Sequence, residues 1–441
     1  MYQFGPLLGN GPVGQVDCGL GSAIPLGPVG LIAPTETIRE TGTELTVDGI
    51  RIVFQNTPEA EAPAEMNFFF PDKALLCMAE NCTHTLHNVY PIRGAQTRDA
   101  LYWSKYIAEA LELWGDHTET MFASHHWPRF GTADVGQFLV LQRDVYRWMH
   151  DQTVRLANSG HTPTEIAEAL SLPACFARDS HVQGYYGTVS HNAKSVYTRY
   201  LGWYDGNPAN LDPLPPVETG ARLVELMGGA DAVVEAGQRA FDDGDYRWVA
   251  QLVNHVVFAD PGHTAARRLQ ADALEQLGYR SESATWRNAY LMGAHELRHG
   301  TPDYGAPRGR LFVHAMTAEQ IFDSMGVRFD PEAFGDPDGT SSLVVDVTFT
   351  DLDERHVLGV RHAALHQRPH QHAPDADAAL TCSRGALADV LGRVATLDDQ
   401  IDAGAIDVSG DVDALRRLFD SLTVFTTQRL IEPQMPATTG D

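Results

Sequence analysis

From about residue 133 to 305 the sequence offers helix alone, and this run separates two stretches that read as mixed strand and helix. A chain ordered in that way must build separate cores, as 441 residues allow. Within the run, Phe138, Leu139, Leu141, Val145, Trp148, Met149 and Val154 recur at the spacing of one helix face. Thr162-Pro163-Thr164-Glu165 opens a further helix, with a capping side chain, a proline in the first turn and an acid after it. A Pro-rich connector, Asp212 to Pro216, divides the run. Beyond it, Ala240…Gly244-Asp245-Tyr246 and Ala273…Gly278-Tyr279 repeat Ala and Tyr 33 residues apart, and Asp260-Pro261 stops the helix between them. That pattern predicts a short pair of tetratricopeptide-like hairpins, too few for a solenoid and suited to packing or dimerisation.

The flanking stretches carry strand signals. Leu45 to Val47 and Ile50 to Phe54 bracket the turn pair Asp48-Gly49. Asn67 to Asp72 and Ala74 to Met78 predict two buried strands around a tight turn. Arg98 to Trp114 predicts a helix with Leu101, Tyr102, Tyr106, Ala110 and Leu113 as its apolar face. Glu119 to Ser124 predicts a strand leading into His125-His126-Trp127. After the helical run, Ser342 to Thr350 alternates with Leu343, Val345, Val347 and Phe349 on one side. His356 to Val360, Ala378 to Cys382 and Ile406 to Asp411 follow as strands, Ser383 caps a helix, and Val412 to Phe425 reads as an amphipathic one. The fold class is therefore multidomain α/β plus all-α, with boundaries at 1–132, 133–305 and 306–441.

Composition excludes some partners. The net charge of −26 argues against nucleic acid or an anionic membrane, whose phosphates need Lys and Arg. Lysine occurs only at Lys73, Lys105 and Lys194, so an anionic ligand needs a local, mostly arginine-built pocket. No run of 18 apolar residues predicts a membrane span. Met1 to Pro6 has neither a basic nor an apolar leader segment, which predicts no signal peptide in the chain as it stands. Cys18, Cys77, Cys82, Cys175 and Cys382 form no CxxC pair and are expected as buried apolar residues. The tryptophans Trp103, Trp114, Trp148, Trp203, Trp248 and Trp286 are expected in cores.

The densest polar cluster runs from Glu61-Ala62-Pro63-Ala64-Glu65 through Ala79-Glu80-Asn81, His84, His87 and Arg93 to Ser124-His125-His126. Glu80 and His125 each follow an apolar run, where a strand emerges into a loop. Carboxylates and imidazoles there suit zinc, although the same residues also occur as ordinary surface acids and loop histidines. His126 and Glu65 are expected to support ligands rather than to be ligands. His356, His362, His366, His370 and His372 read as a solvated hairpin, lacking acid partners at useful spacing.

The order of these blocks resembles the alkylsulfatases of the metallo-β-lactamase fold. The same holds for Ser124-His125-His126-Trp127-Pro128, for Gly184 to Asn192 and for Tyr200 to Ala209. The resemblance implies part of a metallo-β-lactamase αββα sandwich in 1–132, a helical dimerisation domain in 133–305 and a sterol-carrier-like α+β domain in 306–441. It implies a homodimer that hydrolyses surfactant-like alkyl sulfates such as dodecyl sulfate with two zinc ions. Carried over by position, Glu80 would bridge the zincs, Glu61 would bind one and His125 the other. Glu80 and His125 thereby carry the catalytic role. His84 and Arg93 would hold the sulfate, while Asn192 and Tyr197 would close over the same pocket. Arginine suits that task because its planar fork keeps its charge when buried.

The chain departs from the family in one respect. The family's Thr-His-x-His-x-Asp-His motif is absent, and His370-Gln371-His372 is the only His-x-His. The sequence is therefore expected to lack about the first half of the hydrolase domain, and with it half of the zinc site. Weak zinc binding and little hydrolysis are expected as a result. Two other functions stay open on these residues: a non-catalytic dimer that binds lipid, and a hydrolase of the same fold acting on another ester.

Overall fold

Asp48 and Gly49 both take positive φ, 51° and 78°, and this two-residue turn pairs Val47 with Ile50 across a hairpin. Strands β1 (Glu44–Val47) and β2 (Ile50–Asn56) thereby start a six-stranded sheet ordered β1-β2-β3-β4-β5-β6. The remaining strands are β3 (Met66–Phe70), β4 (Leu75–Cys77), β5 (Thr120–Phe122) and β6 (Arg129–Phe130). All pairs are antiparallel except β4 with β5, which are parallel and joined through helix α1 (Ala100–Trp114). The computed structural model describes residues 4–22, 32, 34–301, 313, 316–425 and 431. The chain divides into one unit of residues 1–25, 37–302 and 429–441, and a second of 26–36 and 303–428.

One face of the first sheet is sealed by α1 and α2 (Thr132–Ala157). Phe69, Leu76 and Met121 share a core with Trp103, Ile107, Trp114, Phe138, Tyr146 and Met149. Phe69 stacks on Trp114 at 5.3 Å and Trp103 on Tyr146 at 4.5 Å. Each such ring contributes about 1.5–3 kcal/mol through burial. Residues 133–157 thus pack with the sheet. The opposite face carries the paired row Phe54, Phe68, Cys77 and Phe122, of which only Phe54 is fully buried.

Helix α1 turns a different face inward than its sequence suggested. Trp103, Ile107, Ala110 and Trp114 are buried, whereas Tyr102 and Leu113 are 47% and 42% exposed. The i, i+4, i+7, i+11 set with two tryptophans removes more apolar area from water than the set through Tyr102 and Leu113, and so wins.

The helices continue as α3 (Pro163–Ala169), α4 (Val189–Leu201), α5 (Pro216–Leu226), α6 (Ala230–Asp242), α7 (Tyr246–Ala259), α8 (Thr264–Arg280) and α9 (Ala284–His299). Helix α3 has the full capping box of Thr162 and Glu165. The two repeat glycines do different work. Gly244 makes the α6–α7 turn at φ 80°, while Gly278 lies inside α8, where a Cβ would sit 2.9 Å from Leu291. Trp203 and Trp248 are 72% and 49% exposed, so these two are not core residues. Among the cysteines Cys82 and Cys382 are buried, whereas Cys175 is exposed.

The second unit holds the sheet β11-β10-β7-β8-β9, with β7 (Ser342–Phe349), β8 (Glu354–Arg361), β9 (Ala364–Pro369), β10 (Ala378–Cys382) and β11 (Ile406–Gly410). Helices α10 (Ala318–Arg328), α11 (Pro331–Phe334), α12 (Arg384–Leu391), α13 (Leu397–Asp402) and α14 (Val412–Asp420) accompany it. Helix α14 stops at Asp420, five residues short of the expected end. The boundary expected at 305/306 lies outside the described residues. The interior, lined by Phe322, Met325, Val347, Leu380 and Leu418, leaves a cavity of only about 10 Å³. His356 is 1% exposed against Phe322 and Phe349, so the histidine hairpin is not wholly solvated.

Candidate metal centre

Strands β4 and β5 run in parallel and end together, and side chains just past their carboxyl ends converge, as in open α/β sheets generally. Met78 donates its amide to the Phe122 carbonyl at 2.9 Å, and Ser124 donates to Ala79 at 2.8 Å. Ala79 takes φ 46°, which turns the chain out of the strand and sends Glu80 back over the sheet end. His125 leaves β5 at the same level. Its Nε2 lies 3.5 Å from Glu80 Oε1, and Nε2 of the buried His87 lies 3.1 Å from that oxygen.

Glu61, Glu80 and His87 each offer a ligand atom within 4.8 Å of the other two. His87 has Nδ1 3.0 Å from the Asn88 carbonyl and 3.3 Å from Arg98 Nη1, and the tautomer with its proton on Nδ1 turns an Nε2 lone pair toward Glu80, where a cation would take it. Arg98 binds Glu61 through both its carboxylate and its carbonyl, and also holds the Asn88 carbonyl at 2.8 Å. Three carboxylates, Glu61, Glu65 and Glu80, act on one another, and the buried Arg98 guanidinium pairs with Glu61 and acts on Glu80. Burial, followed by the charges of Glu61 and Glu80, pushes the Glu65 carboxyl up to about 7 against the opposing Met66 amide. Glu80 is held below the usual range: burial would raise it, but the imidazoles of His87 and His125 and the Arg98 charge outweigh burial. Excess buried negative charge with one lone pair aimed into it fits a divalent cation.

The loop carrying His87 is fixed from a distance. Asn192 in α4 donates to the His87 carbonyl at 2.9 Å and accepts from the Val89 amide at 2.9 Å. Gly187 passes so close that a Cβ would lie 2.5 Å from the His87 oxygen, a position only glycine fills. The His87 amide donates to the Tyr146 hydroxyl at 3.1 Å. Below, a buried relay runs from Asn81 to Asn67 at 2.9 Å and on to Gln55 at 2.8 Å. Trp103 Nε1 donates to the Asn81 carbonyl at 2.7 Å.

The other expected site residues fall in three places. Arg93 is exposed on a cleft of about 200 Å³ that also touches Glu61, Arg98 and Arg199. His84 is buried in a separate cluster with rings of His181 at 4.8 Å, Trp127 at 5.0 Å, Phe138 at 5.1 Å and His126 at 5.6 Å. Burial, then the neighbouring His181, His126 and Arg129, lowers His84 to about 4. Tyr197 packs with Leu156, Ile166 and Ala193, and its hydroxyl donates to the Tyr204 carbonyl at 3.3 Å. The structure thus gathers Glu61, Glu80 and His125 around His87, and leaves His84 and Tyr197 in other clusters. His87 was read from the sequence as part of the polar cluster but not as a ligand, and Arg98 was not read as part of the site at all. His87 stood beside the expected ligands, whereas nothing local to Arg98 signalled its reach.

The family profile described as alkyl sulfatase dimerisation matches residues 162–300, and that described as alkyl sulfatase C-terminal matches 309–430. The chain belongs to the alkylsulfatase family. It is 45% identical to a linear primary-alkylsulfatase from Pseudomonas sp. over 96% of its own length. It is 44% identical to an alkyl/aryl-sulfatase from Saccharomyces cerevisiae over 95%. The solved structure of the stereoselective inverting sec-alkylsulfatase Pisa1 from Pseudomonas sp. superposes with a TM-score of 0.91 at 40% identity, covering 96% of this chain and 67% of that one. The chain spans 63% and 65% of the first two relatives.

Proposed function

We propose that the chain acts in the hydrolysis of alkyl sulfate esters, surfactant-like ones such as dodecyl sulfate, with release of inorganic sulfate. The observation that carries this reading is the convergence of Glu61, Glu80, His87 and His125 beside a cleft bearing Arg93. These four would hold zinc, two ions when the site is complete, with Glu80 between them. A divalent cation there supplies Lewis acidity, offsetting charge on the ester and bringing the pKa of a water to about 7. Arg98 keeps the Glu61 carboxylate in place, and Asn192 sets the height of the His87 loop. Arg93 would supply the positive charge for the sulfate head. The part proposed for His84 in holding that head rests on family resemblance, since its ring lies among His181, Trp127 and Phe138, and with its pKa lowered to about 4 by burial it would bring no charge at neutral pH. The part proposed for Tyr197 in closing the pocket rests on family resemblance alone.

We read the first sheet as part of a metallo-β-lactamase sandwich in 1–132, residues 133–305 as a dimerisation domain, and 306–441 as sterol-carrier-like. A homodimer is supported by Leu201, Trp203 and Leu211, each more than half exposed within the dimerisation match. For the lipid-binding alternative, the apolar cavity among the described residues around Phe322, Val347 and Leu418 holds only about 10 Å³.

The test is zinc retention by equilibrium dialysis together with sulfate release from dodecyl sulfate. Glu80→Gln and His87→Ala are each expected to weaken zinc binding at least tenfold and to lower sulfate release in proportion. Unchanged zinc affinity in both variants would remove the metal centre. Zinc binding without sulfate release in any form would remove the sulfatase reading of this chain.

A further inference from the structure

A cavity of about 630 Å³ lies between α4, the start of α7, the end of α8 and α9. It shares no lining residue with the cleft beside the metal centre. Its size falls in the range that takes small organic ligands. Trp286 and Tyr290 of α9 and Tyr246 of α7 give it aromatic walls.

Its charges are arranged unusually for a chain of net charge −26. Arg247 is satisfied, since Glu168 receives two of its hydrogen bonds at 2.7 and 3.3 Å. That pairing commits the Glu168 carboxylate. Lys194, one of only three lysines, reaches Ser190 Oγ at 3.4 Å and stands 5.9 Å over the Trp286 ring, with no carboxylate in salt-bridge range among the described residues. Arg280 lies 4.4 Å over Tyr246 and donates to the Gly244 carbonyl at 3.3 Å, again without an acid partner among those residues. Asp245 is the other acid on the lining, and it caps α7 by accepting from the Trp248 amide at 3.3 Å. Partial burial lowers the Lys194 ammonium, as expected of a cation held against apolar surface.

Two cations with no carboxylate in salt-bridge range among the described residues, Lys194 feeling Glu168 only at longer range, stand against aromatic faces in an open cavity and recognise a particular chemistry. We propose that this cavity binds a small organic anion, a sulfonate, sulfate or carboxylate on an aromatic or short apolar body. The oxyanion lies between Lys194 and Arg280, and the body packs against Trp286 and Tyr290, whose rings stand at 86° to each other. The anion reaches the cavity against the field of the whole chain, but that field is screened beyond about 8 Å at physiological salt while the two cations act at contact. The proposal does not depend on the sulfatase reading, because it uses none of the metal-centre residues.

The probe is 2-naphthalenesulfonate, whose carbon–sulfur bond a sulfate-ester hydrolase leaves intact. It is titrated into the full chain by calorimetry. One site per chain is expected. The double variant Lys194→Met with Arg280→Met should weaken it at least tenfold, while Lys194→Arg should stay within threefold. The neutral 2-naphthol should bind at least tenfold more weakly than the sulfonate. Circular dichroism of the double variant should match the parent, since neither residue belongs to a buried core. Arg93→Met reports on the metal-centre cleft and should leave the affinity unchanged. Binding that survives the double variant, binding lost with Arg93→Met, equal affinity for 2-naphthol, or no binding at millimolar probe would each overturn the proposal.

Discussion

Arg98 shows how much of the proposed metal centre depends on one side chain outside its candidate ligands. It is about nine-tenths buried and joins Glu61 to Asn88, the residues that orient two of the four proposed ligands. Removing it would leave Glu61 buried without its cation, a change that costs about 3–5 kcal/mol in buried pairs. Arg98→Met is therefore expected to lower zinc affinity about 10–100-fold, read by competition with a zinc chelator, and to lower the melting temperature. His84 gives a prediction of opposite character. Its folded pKa, about 4, lies below the ordinary histidine value, so the neutral ring favours the folded state. Its contribution is complete above about pH 6.5 and is lost as pH falls toward 4, where the unfolded chain takes up the proton first. The groups facing it are His126, His181, Arg129 and Asp134. Melting temperatures between pH 7 and 4 should fall less steeply for His84→Phe than for the parent. Parallel curves would remove His84 as the source.

At the scale of the element, α1 separates what a sequence shows from what packing decides. Its extent was legible, because Asp99 caps it and the apolar period is strong. Its inward face was not, since both the Tyr102–Tyr106–Leu113 set and the Trp103–Ile107–Trp114 set lie at helical spacing. Only the neighbours, Phe69 below and Tyr146 across, decide between them. Trp103→Ala should cost about 3–5 kcal/mol by leaving a cavity, whereas Tyr102→Ala should stay within about 0.5 kcal/mol, both measured by denaturant unfolding. The same contrast holds for the site. Glu80 and His125 were readable because each ends an apolar run. The gathering of Glu61 with His87 was not, because it depends on a crossover from Glu59 to Asp99 and on Asn192 reaching back from α4. The strands of the second unit were legible from alternation, as Leu343, Val345, Val347 and Phe349 all point inward. The end of α14 was not, since its apolar pattern continues past Asp420 to Phe425.

For the whole molecule, exposed apolar surface and net charge act against each other. Trp203, Leu211 and Leu201 stand 72%, 56% and 52% exposed on a chain of charge −26. If these residues sit between two copies, association works against mutual repulsion. The dimer should then tighten as salt rises, because screening weakens the repulsion while burial of the rings persists. Sedimentation equilibrium is expected to show dimer, and Trp203→Asp should weaken it by at least a hundredfold. An unchanged dimer in that variant would place the contact elsewhere.

The clamp from Asn192 also has a consequence in time. It fastens to the His87 carbonyl across 105 residues, and the β4–β5 junction closes another 45 between Ala79 and Ser124. Contacts of that separation form late, because the entropy of closing the intervening loop comes before any reward. A ribosome that has released Glu61, Glu80 and even His125 would therefore still hold a nascent chain with no formed cage for an ion. Capture of an ion by the proposed centre would wait until α4 (Val189–Leu201) has emerged and folded back, more than a hundred residues after Glu80.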